Sequence, residues 1–305
     1  MPNWLIKSAI HRVVSWLPAR RFWCDLLRGN SIDLSEDAFA GALGFFRRHT
    51  ESAVKKRGPF TEGYTVVELG TGWNPVQPIA HFLCGAGAVE TFDIESLLQS
   101  GRLARVIDLF RDFAQIGRLA KELPAFIPAR LAKLDEVAST SATRPPAEIL
   151  ARLGIRVHIA DARNTGLSDA SVDFIFSHSV FEYVPRAPFV ELMREFRRVA
   201  RPGAVTSHYI RLSDQYHHFD HNLSQFNFLR YTARQWRWFD SPIIPQSRLR
   251  ISDCREIFQQ TGWRVLCEEN THGTIEDLRR VPLAPEFHAY REEDLLVVGT
   301  WLAAD

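Results

Sequence analysis

The 305-residue chain contains no uninterrupted apolar run of the roughly 18 residues that a membrane span needs. It has almost no charge of one sign to spare, with 37 basic against 36 acidic side chains. That leaves no global field to draw in a nucleic acid or a membrane surface. Cysteine is scarce: Cys24, Cys84, Cys254 and Cys267 stand apart, with no Cys-x-x-Cys pair. The spacing argues against a disulfide frame or a zinc site and suits reduced thiols in a cytoplasm. There is no Gly-Lys-Ser/Thr, so a nucleotide-triphosphate P-loop is excluded. Repeats and low-complexity tracts are missing too. A composition 46% hydrophobic and 24% charged is that of an ordinary globular protein, long for one α/β domain.

The first thirty residues have their own character. Lys7, Arg12, Arg20, Arg21 and Arg28 face a single acid, Asp25, among Trp4, Leu5, Ile10, Val13, Val14, Trp16, Leu17, Phe22 and Trp23. Lys7, His11 and Arg12 interrupt the apolar segment too early for a signal peptide. A basic amphipathic helix can lie on an anionic bilayer. Pro18 limits its length, and a helix packed over a cleft or at a contact between copies is the preferred reading. Peripheral membrane contact is therefore not favoured, and a homo-oligomer stays open.

The most informative stretch is Glu68-Leu69-Gly70-Thr71-Gly72-Trp73-Asn74-Pro75, which follows the apolar Thr65-Val66-Val67. It reads as a strand entering a glycine turn, where the backbone can approach a ligand closely. The next strand, Val89 to Ile94, carries Asp93 roughly twenty positions after Gly70, the spacing of a carboxylate that grips a ribose. A nucleoside-containing cofactor follows. A dinucleotide site would want a third glycine where Pro75 stands, and Glu68 would repel a pyrophosphate. A carboxylate there suits a ligand carrying an ammonium and a sulfonium. The bland alternative is a tight strand-helix turn.

The stretch resembles the first motif of class I S-adenosylmethionine-dependent methyltransferases, of the type 11-like kind. Further segments extend the resemblance: Arg156-Val157-His158-Ile159-Ala160 followed by Asp161-Ala162; Leu167 to His178, with Asp173 opening a strand; Val180-Phe181-Glu182-Tyr183-Val184; and Arg197 to Ala204. It covers about residues 64–212. It implies a Rossmann-like α/β fold, a seven-stranded, mostly parallel sheet with its last strand antiparallel, and helices on both faces. Residues 1–60 then form an N-terminal helical extension to a methyltransferase domain over 61–305.

Local signals fill in this frame. Phe39, Leu43 and Phe46 predict a helix over 37–50, and Pro75 suits a first helical turn. Phe189, Leu192, Met193, Phe196 and Val199 predict another from Pro188. Ser252 is expected to cap a helix reaching Gln260, with Gly262 ending it. Trp263 to Glu269 and Leu295 to Leu302 read as the last strands. Asp93 to Arg156 is far longer than a helix crossover needs. A helical insertion over about 96–154 is expected, with one long helix from Leu103 to Ala120 and prolines at 124, 128, 145 and 146.

The resemblance implies site roles. Glu68 holds the methionine end, Gly70, Thr71 and Gly72 line the cofactor, and Asp93 takes the ribose hydroxyls. Asp161 and Ala162 take the adenine, and Ser177 ends strand four beside it. Asp161 could instead cap a helix. For the base, His178 is best placed and Glu182 lies a turn beyond, with His208 another cleft-facing candidate. His218 competes, from a cluster with His217, His221, Asp214 and Asp220. The cluster matches no zinc signature, and no metal is expected. Arg230, Arg234 and Arg237 stand at helical spacing, so a helix would align them toward an acidic acceptor. A salt-bridged scaffold is the alternative there. The reading is a cytoplasmic enzyme that transfers a methyl group to a small-molecule or glycan-intermediate acceptor, with O-methylation favoured. N- or C-methylation remains an alternative, as does a non-catalytic nucleoside- or partner-binding module. A nicotinamide oxidoreductase is disfavoured by Pro75 and Glu68.

Overall fold

The computed structural model describes residues 4, 5, 8, 34–123, 125–138, 144–240 and 245–305. Among them, seven strands form one sheet: β1 (Thr65–Leu69), β2 (Ala88–Asp93), β3 (Ile155–Ile159), β4 (Val172–His178), β5 (Ala200–Arg211), β6 (Val265–His272) and β7 (Val297–Ala304). Their order is β3-β2-β1-β4-β5-β7-β6, and the last strand runs antiparallel. This is the Rossmann-like arrangement expected from the sequence. The parallel pairs β1–β2, β1–β4 and β2–β3 set Leu69 against Phe92 and Ser177, and Asp93 against Ile159. The carboxyl ends of these four strands therefore share one edge.

The chain forms two compact units. The first comprises Ile32–His178, Leu192–His208 and Ala303–Asp305. Its leading helix, α1 (Glu36–Arg57), starts where Ser35 Oγ accepts the Ala38 amide at 3.2 Å. Glu36 and Asp37 sit in its first turn and Lys55, Lys56 and Arg57 in its last, so both ends complement the helix dipole. The helix is longer than the predicted 37–50, running on to Arg57 before Gly58 ends it at a φ of 80°. It buries Phe39, Leu43, Phe46, His49, Thr50 and Ala53 along one stripe. The next helix, α2 (Val76–Leu83), begins after Pro75 as expected and is buried at every residue. β1 and β4 are buried on both faces except at one end, as central parallel strands are.

Between β2 and β3 lie α3 (Ser100–Gln115), α4 (Leu119–Glu122), α5 (Ala129–Ala138) and α6 (Pro146–Ala151). The single long helix predicted here is two. Ile116 is 70% exposed, and Gly117 turns the chain at a φ of 68°, so the apolar spacing runs on past the end of α3. Phe39 of α1 meets Phe110 and Phe113 of α3 edge-on, at 4.8 and 4.9 Å. Asp173, expected to open β4, also ties that strand to its neighbours: its carboxylate takes the Thr65 amide at 2.9 Å and pairs with Arg201 and Arg57. Pro124 and Cys24 lie outside the described residues.

The second unit holds Ser179–Glu191 and Tyr209–Leu302 with the described part of Met1–Ser31. In α7 (Arg186–Val199), Phe189, Leu192, Met193, Phe196 and Val199 are all buried, as their spacing predicts. An aromatic core in the second unit gathers Tyr216, Phe226, Phe228, Trp236 and Phe287 around Trp4. Trp4 lies 5.5 Å from both Tyr216 and Phe239 by ring centroids, and Ser8 Oγ donates to the Phe239 carbonyl at 2.9 Å. The rest of the basic N-terminal segment lies outside the described residues.

Three local expectations need correction. The helix expected to be capped by Ser252 spans Ile251–Gln260, so Ser252 is already inside it. Asp253 secures the start instead, accepting the Arg250 amide at 2.8 Å. Trp263 precedes β6, and Leu295 closes a short helix before β7. Arg230, Arg234 and Arg237 do not share a helix. Arg230 ends a 3-10 turn, Tyr231 is extended, and the helix capped by Thr232 covers only Ala233–Trp236. All three guanidinium groups are on exposed residues.

Candidate active site

At the end of β1 the chain turns through Gly70 and Gly72, with φ of 88° and 63°. A side chain at either position would be strained in this left-handed region, which is why glycine stands there. The turn is clipped to β2. The Gly70 amide donates to the Phe92 carbonyl at 2.8 Å, the Gly72 amide to Asp93 Oδ2 at 3.0 Å, and Thr71 Oγ1 to Thr91 Oγ1 at 2.8 Å. Asp93 Oδ1 takes the Glu95 amide at 3.0 Å. Asn74 Oδ1 accepts Arg102 Nε at 3.0 Å and so joins the loop to α3.

This loop forms one wall of a cavity of about 200 Å³. Glu68, Gly70, Thr71 and Gln77 line it from the β1–α2 side, Phe39 and Phe45 from α1, and His178 from the end of β4. Glu68 is buried, and its Oε2 has no hydrogen-bond partner among the described residues. Burial first, and the charge of Asp93 second, raise its pKa well above the ordinary carboxylate value. A buried acceptor without a donor is costly. A cationic ligand group entering the cavity would satisfy it. The donor set and the glycine turn thus fit the ammonium-bearing end of S-adenosylmethionine. The volume is below the roughly 300–1,000 Å³ of whole-ligand pockets, so it suits part of a cofactor.

His178 is held from two sides. The Phe45 ring stacks on its imidazole, and His178 Nδ1 lies 3.2 Å from His49 Nε2. His49 Nδ1 lies in turn 2.9 Å from Ser207 Oγ. His49 is fully buried, and burial, reinforced by His178, His208, His81 and Arg48, pushes its pKa well below the usual value. It is a neutral imidazole. His208 is also buried, with its pKa down to about 3, and its Nδ1 lies 2.7 Å from Ser177 Oγ. Ser177 therefore points into a polar network in the core and does not line the cavity.

The other expected site residues are placed as follows. Ala162 is buried, whereas Asp161 is exposed at the end of β3. Arg163 hydrogen-bonds the Asp161 carboxylate at 2.6 and 2.8 Å and holds its pKa below the usual range. Glu182, His217, His218, His221, Arg230 and Arg234 belong to the second unit. Glu182 is buried, neither carboxylate oxygen has a hydrogen-bond partner among the described residues, and Arg211 Nε lies 3.8 Å away. Burial raises its pKa to about 7, against the opposing charge of Arg211. Nearby, Ser179 has a φ of 56°, rare for a residue other than glycine. His217 Nδ1 lies 2.6 Å from the Leu223 carbonyl, and its ring meets those of His218 and His221 at 6.1 and 5.5 Å. Among the described residues, no group of three or more His, Cys, Asp or Glu side chains could hold a metal ion. None of their helices is long and apolar enough to cross a membrane.

Sequence reasoning missed the contribution of α1. Phe45 and His49 were not singled out, although His49 lies three positions after Phe46 on the buried stripe. A histidine within an apolar stripe was the available signal.

Residues 116–207 match the family model of a methyltransferase domain. No curated protein matches the chain. Among solved structures the chain is similar to an S-adenosylmethionine-dependent methyltransferase from Methanosarcina mazei, at 13% identity over 81% of this chain and 93% of that one, with a TM-score of 0.43. It is similar to geranyl diphosphate methyltransferase at 11% identity, over 91% and 92% of the two chains, with a TM-score of 0.45. A putative methyltransferase complex with the Trm112 activator from Haloferax volcanii matches at 16% identity, over 88% and 94%, with a TM-score of 0.41.

Proposed function

We propose that this chain is a class I S-adenosylmethionine-dependent methyltransferase that methylates a hydroxyl of a small-molecule or glycan-intermediate acceptor, with His178 as the base. One observation carries the reading. Glu68 and His178, from the neighbouring parallel strands β1 and β4, line the same cavity at the ligand-binding edge of the sheet.

On this reading Glu68 receives the cofactor's ammonium, and Gly70, Thr71 and Gly72 give it close backbone access. Asp93 receives the ribose hydroxyls while keeping the turn in place. Asp161 and Ala162 take the adenine edge, which requires Arg163 to yield part of its hold on Asp161. The bound cofactor supplies a methyl group already activated by a sulfonium. The protein then has to align the acceptor, exclude water and take one proton. A neutral imidazole suits the last task. His217, His221, Arg230 and Arg234 are proposed to recognise the acceptor.

A second reading makes Glu182 the base. Its buried carboxyl, with a pKa near 7, is poised for proton transfer at neutral pH. Methyl transfer from labelled cofactor to a panel of hydroxyl- and amine-bearing small molecules tests both. His178→Ala should cost roughly 10²–10⁴ in turnover and leave cofactor affinity nearly unchanged. A loss of tenfold or less, beside a large loss in Glu182→Gln, moves the role to Glu182. Acceptance of amines but not alcohols would replace O- by N-methylation. Cofactor binding without any transfer would favour a non-catalytic module.

A further inference from the structure

We propose that His49 is a positioning residue for His178: its Nε2 accepts the His178 Nδ1 proton and so leaves the His178 lone pair on Nε2. The inference rests on the reading of His178 as base, and nothing in the motif pattern assigns His49 a role.

The argument starts from the spacing of three polar atoms. Ser207 Oγ lies 2.9 Å from His49 Nδ1, and His49 Nε2 lies 3.2 Å from His178 Nδ1. His49 and Ser207 are buried, so their hydrogen bonds are not shared out to bulk water. A neutral imidazole carries one N–H, which leaves two ways to fill the chain. In the first, His49 donates from Nδ1 to Ser207 and accepts at Nε2 from His178. In the second, Ser207 donates to His49 Nδ1, and His49 donates from Nε2 to His178 Nδ1.

Only the first can support proton uptake. In the second, the neutral His178 bears its proton on Nε2, and Nδ1 is occupied by the His49 donor. That His178 has no lone pair left with which to accept a proton. In the first, Nε2 of His178 carries the lone pair. After uptake both its nitrogens bear hydrogen, and Nδ1–H still donates to His49. The arrangement therefore holds through the proton transfer without rearrangement. It is the task that a carboxylate performs in a hydrolase triad, done here by a group without charge. Burial and the surrounding His178, His208, His81 and Arg48 keep His49 from taking the proton itself. Phe45, stacked on the His178 ring, fixes its plane while His49 fixes its edge.

The choice of His49 as an uncharged partner has a chemical consequence. A carboxylate at that position would add a charge that favours the protonated form of the ring it touches. A neutral acceptor orients the ring without that bias. Ser207 Oγ can accept from His49 Nδ1, as the first arrangement requires.

The test needs no acceptor. Long-range proton–nitrogen NMR on the full chain, with and without S-adenosylmethionine, reads which nitrogen of His178 bears the proton. The expected result is hydrogen on Nδ1 and a bare Nε2 in the neutral wild type. His49→Phe keeps the ring volume but removes the acceptor, and should shift His178 to the Nε2–H form. His49→Gln places an amide oxygen near the same point and should return the Nδ1–H form. Thermal melting and cofactor calorimetry check that each variant is folded. If His49→Phe does not fold, Ser207→Ala serves, and should raise the Nε2–H fraction of His178. An Nε2–H His178 in the wild type, or a proton position indifferent to His49→Phe and Ser207→Ala, overturns the proposal. The expected tautomers together with an unimpaired His178→Ala enzyme would uphold His49 as the orienting residue and remove His178 as the base.

Discussion

The ring of Phe45 stacks on the imidazole of His178, with centroids 4.1 Å apart and planes 24° from parallel. The two residues come from α1 and from the end of β4, so a helix that precedes the sheet in sequence contributes to the cavity wall. Phe45 is 41% exposed, and such a contact is worth about 0.5–1.5 kcal/mol. Phe45→Ala should lower the melting temperature only slightly. It should reduce turnover several-fold, because His178 then samples other rotamers. Cofactor affinity and turnover measured on one preparation check this. A melting temperature that collapses would show Phe45 to be part of the core instead.

Asp93 both ties the glycine turn and, on the proposed reading, receives the ribose. Asp93→Ala removes both functions. Hydrogen bonds to a charged group are worth about 1.5–3 kcal/mol, so cofactor affinity should fall roughly ten- to a hundredfold. Asp93→Asn keeps an oxygen for the Gly72 amide and should lose less. Calorimetry on the two variants separates the roles: equal losses would mean that charge toward the ribose is what matters.

Glu68 has a raised pKa because it is buried, and a cationic group brought beside it stabilises its charged form. At any pH where Glu68 holds its proton in the free protein, cofactor binding should therefore release it. Titration in buffers of different ionisation enthalpy measures that release directly. Glu68→Gln should abolish it and weaken binding. A release that survives the substitution assigns the proton to another group.

Glu182 titrates near 7 in the folded protein, against 4.5 for an unperturbed glutamate. The folded state therefore holds this proton where the unfolded chain has lost it. Its contribution to stability is complete below about pH 4.5, falls as pH rises toward 7, and is gone above. Integrated over that window the change is on the order of 3 kcal/mol. Glu182→Gln should flatten this part of the stability curve and, at pH 8, be at least as stable as the wild type. Denaturant unfolding at several pH values tests it. A wild-type slope retained in the variant would place the titration elsewhere.

Much of this was legible in the sequence because the signals are local. The glycine turn, Glu68 before it and Asp93 after it all lie on two adjacent strands, and their order is written in apolar runs and breakers. The cavity's opposite wall was not legible. Phe45 and His49 reach His178 from more than a hundred positions away, and helical periodicity says only that a stripe is buried, not what it covers. The arginine row failed for a different reason. Its spacing is helical, but the extended Tyr231 breaks the backbone between Arg230 and Arg234. Asp161 illustrates a third case. Its partner Arg163 stands two residues on, in plain view, and the resemblance drew attention to the acid alone.

Phe39 sits against Phe110 and Phe113, and Arg47 reaches Glu122 at 3.4 Å. The helix that walls the cavity thus leans on helices placed between β2 and β3. Neither segment belongs to the central strands, yet each buries apolar surface of the other. Removing either exposes apolar surface of the other, so the two deletions should cost less together than the sum of each alone.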